Sequence, residues 1–147
     1  MNKPPVEVAI AILYREDAFL MQLRDDNPNI FWPGYWGFFG GHLDPGETPE
    51  IAIERELMEE IRYVPPVIEL FGSFPTTEVI RHVFHAPLTV PLEDLELHEG
   101  WDLGLLTRED IVRGDRHSER AGRVCPLAPP HQQFLLDFME RGTRLIG

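Results

Sequence analysis

The chain has 147 residues, 43% of them hydrophobic, and a formal net charge of −12 from 25 acidic and 13 basic side chains. That length suits a single domain, residues 1–147, around one sizeable core. So acidic a balance excludes a nonspecific grip on DNA or RNA and docking on an anionic membrane, both of which need a basic face, but leaves phosphates reachable through metal ions.

"VEVAIAILY" (Val6–Tyr14) is β-branched and apolar and predicts a buried strand. It is too short for a membrane span, and no small-residue cleavage site follows it. After the turn "RED", "AFLMQLR" (Ala18–Arg24) predicts a hairpin partner. "DDNPN" is turn chemistry, and an aromatic cluster follows: Phe31, Trp32, Tyr35, Trp36, Phe38 and Phe39. Thr48 then offers an N-cap, Pro49 a first helical residue and Glu50 a first-turn acid; "VPP" (Val64–Pro66) stops the helix. "VIELFGSF" (Val67–Phe74) and "EVIRHVFHA" (Glu78–Ala86) predict strands, and "LELHEGWDLGLL" (Leu95–Leu106) a weaker strand with a loop. "TREDIVRG" (Thr107–Gly114) predicts a short helix, and "APPHQQFLLDFMERG" (Ala128–Gly142) a last helix ending at glycine. The order β-β-β-α-β-β-β-α-α implies antiparallel pairs mixed with crossovers and excludes a simple doubly wound sheet. Cys125, the single cysteine, allows no internal disulfide and reads as a small apolar residue. A soluble cytoplasmic protein is the expectation.

The helix is unusual in its acids. With residues about 100° apart, Ile53, Leu57 and Ile61 form a narrow apolar stripe. Beside it runs a stripe of Ala52, Glu56, Glu59 and Glu60, in which like charges three and four residues apart repel by about 0.2–0.5 kcal/mol per pair. A solvated acidic face is the ordinary explanation of such a run. Here lysine is absent from the helix, and a glycine-rich turn with Glu47 precedes it directly. Hard divalent cations take oxygen ligands, and one or two carboxylates plus waters serve each ion. A metal that neutralises the stripe explains its clustering.

The stretch from Gly41 to Ile61 resembles the signature of the Nudix hydrolases, MutT-like enzymes, written G-x5-E-x7-R-E-U-x-E-E-x-G-U with U a bulky apolar residue. Gly41, Glu47, Arg55, Glu56, Leu57, Glu59 and Glu60 match it in spacing. Arg62 stands where the family has glycine, and Tyr63 follows it. The resemblance implies an α/β fold, the Nudix-type α/β/α sandwich with a mixed, partly antiparallel sheet. It implies Mg2+ (or Mn2+) held by Glu56, Glu60 and Glu59, with the carbonyl of Gly40 or Gly41 completing the set. Arg55 would orient Glu47 and Glu59, and Glu47 would stand behind the ligands or serve an additional ion.

Family members hydrolyse a nucleoside diphosphate linked to another moiety. A carboxylate takes the proton of the attacking water; the candidates are Glu59, Glu60 and, from the loop "LELHEGWD", Glu99, with Glu96, Asp102 and His98 as rivals. Phe31, Trp32, Tyr35 and Trp36 are candidates to stack on a base, although aromatics more often fill a core. Arg81 shares a strand face with His85 and is a candidate phosphate ligand; Arg116, His117 and Arg120 form the compact basic patch, readable equally as a solvated loop. A nucleoside triphosphate pyrophosphatase is the leading expectation. A nucleotide-sugar diphosphate hydrolase and a noncatalytic nucleotide-sensing module are alternatives. A prenyl diphosphate isomerase would need a cysteine placed for proton transfer, which Cys125 does not offer. The expected partner is a small nucleotide-type diphosphate, with a homodimer suggested by family habit and the aromatic surplus at Phe31–Tyr35.

Overall fold

In the computed structural model, which describes residues 3–30 and 32–146 (of 142–146 the backbone alone), the chain runs β1 (Val6–Arg15), β2 (Ala18–Leu23), β3 (Trp36–Gly37), β4 (Phe39–His42), α1 (Pro49–Ile61), β5 (Glu69–Pro75), β6 (Val79–Pro87), β7 (Asp102–Leu106), α2 (Arg108–Arg113), β8 (Asp115–Ser118), β9 (Arg123–Pro126) and α3 (Pro129–Ile146). A single 3-10 turn at Leu92–Asp94 interrupts the loop before β7. The residues fall into two compact units, Met1–Arg15 with Phe38–Glu99, and Glu16–Gly37 with Gly100–Gly147.

In the first unit β1 is the organising strand. It pairs in parallel with β6 over the whole run from Val6↔Val79 to Tyr14↔Pro87, and antiparallel with β4 from Val8↔His42 to Ala11↔Phe39. β5 returns antiparallel on β6, with an irregularity between Leu70 and Gly72. A parallel pair cannot be closed by a tight turn, so β4, α1 and β5 lie within the crossover between β1 and β6. The near-continuous apolar character of β1 follows: Ala9, Ala11, Ile12 and Leu13 are buried. α1 packs on β4 and β1 through Ile53, Leu57 and Ile61, each at most 1% exposed. Burying each such side chain contributes about 1.5–3 kcal/mol.

In the second unit β2 takes β7 on one side, from Phe19↔Leu106 to Leu23↔Asp102, and the two-residue β3 on Gln22 and Leu23. Trp36 is 2% exposed, and its indole N–H donates to the Arg116 carbonyl at 3.0 Å. β8 and β9 form a hairpin, Asp115↔Pro126 to Ser118↔Arg123. Thr107 caps α2 in a reciprocal box with Asp110, and Gly114 ends it at φ 90°.

Two expectations need correction. "GDRHSER" is β8 and the start of its turn, not an open loop, because Asp115–Ser118 finds a partner in Arg123–Pro126. The last helix passes through Gly142 to Ile146, since glycine weakens a helix without having to end it. "LELHEGWDLGLL" is a loop and a strand, as expected, with the strand beginning at Asp102. Among the described residues no helix is long and apolar enough to cross a membrane.

Candidate active site

The site grows from two glycines and one helix of the first unit. At the β4 edge Gly40 has φ 137°, and a Cβ there would lie 2.1 Å from the Ala9 carbonyl oxygen, so only glycine fits. The Gly40 amide N–H donates to both carboxylate oxygens of Glu60, at 3.1 Å each. At Gly41 a Cβ would meet Glu56 Oε1 at 2.8 Å. The bare Gly40 thus admits the backbone of β1, and the bare Gly41 admits the Glu56 carboxylate of α1.

α1 begins as its sequence requires. The Thr48 hydroxyl accepts from the Ile51 amide, and Pro49 opens the helix. The apolar stripe fixes the roll of the helix, and the roll sorts the acids. Glu60, next to the stripe, is buried at 1% exposure, and the Glu56 side chain is 13% exposed. Glu59, about 60° further round than Glu56, is 59% exposed and turned to Arg55, with 3.3 Å between Nη1 and Oε2. The three carboxylates that converge are Glu56, Glu60 and Glu99, with one oxygen of each lying within 4.8 Å of the others. Glu59 stands outside this group, contrary to the expected convergence of three carboxylates on one helix.

Glu99 reaches the group by main-chain docking. The last carbonyls of a helix have no partner within it. Here the Ile61 carbonyl accepts the Glu96 amide at 3.1 Å and the Glu60 carbonyl the His98 amide at 2.7 Å. Leu95 is 9% exposed and anchors the same loop. Arg62 closes the helix in the left-handed region, φ 56° and ψ 36°, its amide bonded to the Met58 carbonyl. The chain thus makes with arginine the turn that glycine makes in the signature.

Arg55 gathers the remaining acids. Its guanidinium donates to both Glu47 oxygens at 2.6 and 2.9 Å, to Glu56 Oε1 at 3.1 Å and to the His42 carbonyl at 3.1 Å. Asp44 lies 3.3 Å from its Nε. The hydrogen bonds from Arg55 hold Glu47 down to about 2, and the same pairing raises Arg55 itself above its ordinary value. Burial pushes Glu60 up to about 9 against the opposing Gly40 N–H, with the neighbouring charges of Glu99 and Glu56 adding to the rise. Burial likewise raises Glu56, in spite of Arg55.

The donor set fits a hard divalent cation. It consists of oxygen atoms only, and burial makes its two inner carboxylates resist ionisation, Glu56 even beside Arg55. A cation supplies a counter-charge. Glu56, Glu60 and Glu99 are the side chains that would hold it.

The other expected site residues are placed as follows. Arg81 and His85 pair with Val8 and Ile12 of β1, on one face of the sheet. His82, on the other face, joins Glu7 and Ser73, each at 2.8 Å. In the second unit Trp32 is 36% exposed at φ 53° and meets Tyr35 edge-on, ring centroids 5.3 Å apart. Trp36 is core, and Phe31 lies outside the described residues. Asp102 accepts from Ser118 at 2.8 Å, and Cys125 is buried in β9. The basic patch is partly engaged: Arg116 donates to Asp110 at 2.6 Å, and Arg120 lies 3.8 Å from Asp102. Sequence reasoning missed the Gly40 amide as the partner of Glu60, and the amides of Glu96 and His98 as the cap of α1. The unfilled helix C-terminus was the signal for the latter.

Comparison with known proteins bears on the family and the fold. The family model for the NUDIX domain matches residues 3–126. The nucleoside triphosphatase NudI of Enterobacter sp. is 35% identical over 54 residues; the match covers 37% of this chain and 38% of NudI, so the chain spans well under half of that relative. The ADP-ribose pyrophosphatase of Methanocaldococcus jannaschii is 26% identical over 137 residues, 92% of this chain and 73% of the relative. The crystal structure of a MutT protein from Methanosarcina mazei Go1 superposes with a TM-score of 0.71 at 23% identity, covering 97% of this chain and 98% of the other, which gives the fold as the Nudix α/β/α type. A signature with its carboxylates gathered in space, a family model spanning most of the chain and a shared fold have one meaning: the chain belongs to the Nudix (MutT-like) hydrolase family.

Proposed function

We propose that the protein is a divalent-cation-dependent pyrophosphohydrolase acting on a small nucleoside diphosphate derivative, with a nucleoside triphosphate as the leading substrate. The observation that carries this reading is the approach of Glu56, Glu60 and Glu99 to within 4.8 Å. The bound cation would be Mg2+ or Mn2+, and it would neutralise phosphate oxygens and acidify a coordinated water. Glu59 and the carbonyl of Gly40 or Gly41 are further candidate ligands, and Glu47 is the candidate for an additional ion.

The chain's own groups do the rest. Glu99, the exposed member of the trio, is the favoured acceptor of the proton from the water that attacks phosphorus. The P–O bond of the anhydride breaks as the new P–O bond forms, and the displaced phosphate leaves with the electron pair. Arg55 holds Glu47 and Glu56 in place by charge-assisted hydrogen bonds. Arg81 is proposed for a phosphate, and Trp32 with Tyr35 for a base.

The ADP-ribose pyrophosphatase relative, aligned over 92% of this chain, favours a nucleotide-sugar diphosphate as the second reading. Turnover of nucleoside triphosphates, ADP-ribose, nucleotide sugars and prenyl diphosphates with Mg2+, read by product mass, separates the readings. Nucleotide monophosphate is the expected product. A protein that binds nucleotide and turns over none of the panel is the sensing module instead. We place the enzyme in the cytoplasm as a homodimer; a monomer mass by light scattering at working concentration would remove the dimer.

A further inference from the structure

Arg62 occupies a backbone conformation that glycine takes freely and an L side chain takes at a cost. Within α1 the side chain gains only the favourable place of a cation at the negative helix end. The last turn of the helix carries no basic residue, and Arg62 is exposed, so no core packing rewards its side chain. What the side chain does reach is His98, with 3.4 Å between Arg62 Nε and His98 Nε2. His98 is the residue whose amide docks on the Glu60 carbonyl, and it precedes Glu99 directly. Glu96 Oε1 lies 3.5 Å from the same imidazole nitrogen, so an acid of the loop stands beside the histidine that meets Arg62.

We propose that Arg62 is a positioning residue, which clamps the loop Glu96–Glu99 onto the C-terminus of α1 and so delivers Glu99 to Glu56 and Glu60. The left-handed turn aims the guanidinium back at the loop. Two main-chain bonds, Glu96 to Ile61 and His98 to Glu60, fix the height of the loop along the helix. The Arg62–His98 contact fixes it sideways, where no other side-chain bond of the described residues joins the loop to α1. Glycine at this position would make the same turn and leave the loop on its two amides. This inference rests on the carboxylate trio being the cation site.

The test uses Arg62→Asn, which tolerates the left-handed turn and lacks the guanidinium, Arg62→Lys, His98→Ala, and the double variant Arg62→Asn/His98→Ala. Amide exchange at Glu96 and His98 is measured in chelator, and Mn2+ affinity without substrate. Thermal midpoint, kcat and KM complete the set. Arg62→Asn is expected to speed exchange at both amides and to weaken Mn2+ binding, each by about two- to tenfold. The midpoint is expected to hold or rise, and kcat to fall more than KM changes. Arg62→Lys retains most of the wild-type values. His98→Ala reproduces the loss, and the double variant loses no more than either single one, as two partners of one contact should. Wild-type exchange and Mn2+ affinity in Arg62→Asn overturn the proposal, as do additive losses, or losses that only track a falling midpoint. If Arg62→Asn does not fold, Arg62→Gly carries the same test. Failure of the wild-type protein to bind Mn2+ refutes the cation site itself; intact wild-type binding with an indifferent Arg62→Asn refutes only the clamp.

Discussion

The Glu60 carboxylate receives the Gly40 amide N–H on both of its oxygens, at 3.1 Å each, while buried at 1% exposure. One residue of β4 thereby fixes the innermost acid of α1. A single N–H does not replace a counter-charge, which is why burial still drives this carboxyl up to about 9.

A pH dependence follows for the metal-free protein. Glu60 has an ordinary value of 4.5 when unfolded and about 9 when folded, so between them the native state holds a proton that the unfolded chain has released. Stability in chelator should therefore fall as pH rises through that window. Glu47 acts with the opposite sign: its contribution is present above 4.5 and is lost as pH drops toward about 2. Excess Mg2+ competes with the Glu60 proton and should flatten the alkaline decline. Thermal midpoints across the range, in EDTA and in Mg2+, check this; a midpoint that climbs from pH 5 to 9 in EDTA would contradict it.

Gly40 and Gly41 should respond differently to alanine. At Gly40 the new Cβ meets backbone at 2.1 Å, so Gly40→Ala should cost several kcal/mol and impair folding (about 3 or more, as for other strained backbone substitutions). At Gly41 the clash at 2.8 Å is with the end of the Glu56 side chain, which can swing aside. Gly41→Ala should fold, hold its midpoint within a few degrees, and bind Mn2+ about tenfold more weakly. Calorimetry and Mn2+ titration on the pair decide it.

Arg55→Ala should harm turnover more than folding. Arg55 is remote from the apolar stripe, and its loss opens no core cavity, but Glu47 and Glu56 lose the donor that orients them. A fall in kcat of about 100-fold is expected, with a modest drop in midpoint. A collapsed midpoint with near-normal turnover of the folded fraction would show Arg55 to be structural.

Much of α1 was legible in the sequence because its signals are local. Thr48 and Pro49 mark the start, and the four-residue repeat of Ile53, Leu57 and Ile61 fixes the buried face. The same repeat, taken further round the wheel, already sets Glu59 apart from Glu60. The partnership of Glu99 was not derivable from spacing, since it depends on a loop docking 35 and more residues downstream on carbonyls of the helix end. β8 and β9 were missed for a related reason: with four residues each, "DRHS" and "RVCP" are too short to carry a periodicity of their own before they pair. Arg62 shows the limit of a motif letter. The position needs a left-handed turn, and the chain supplies it without glycine.

The central claim is that Glu56, Glu60 and Glu99 hold the catalytic cation, and Glu60→Gln tests it most directly. Glutamine keeps the shape and helix preference and is neutral, as burial makes Glu60 in the metal-free fold, but it lacks the anionic oxygen that a cation would bind. Mn2+ titration of this variant, with its stability in EDTA and its kcat, is the measurement. The expected result is metal-free stability equal to or above wild type, Mn2+ binding at least about tenfold weaker, and kcat lower by about 100–1,000-fold. Wild-type Mn2+ affinity and wild-type turnover in Glu60→Gln would contradict the claim.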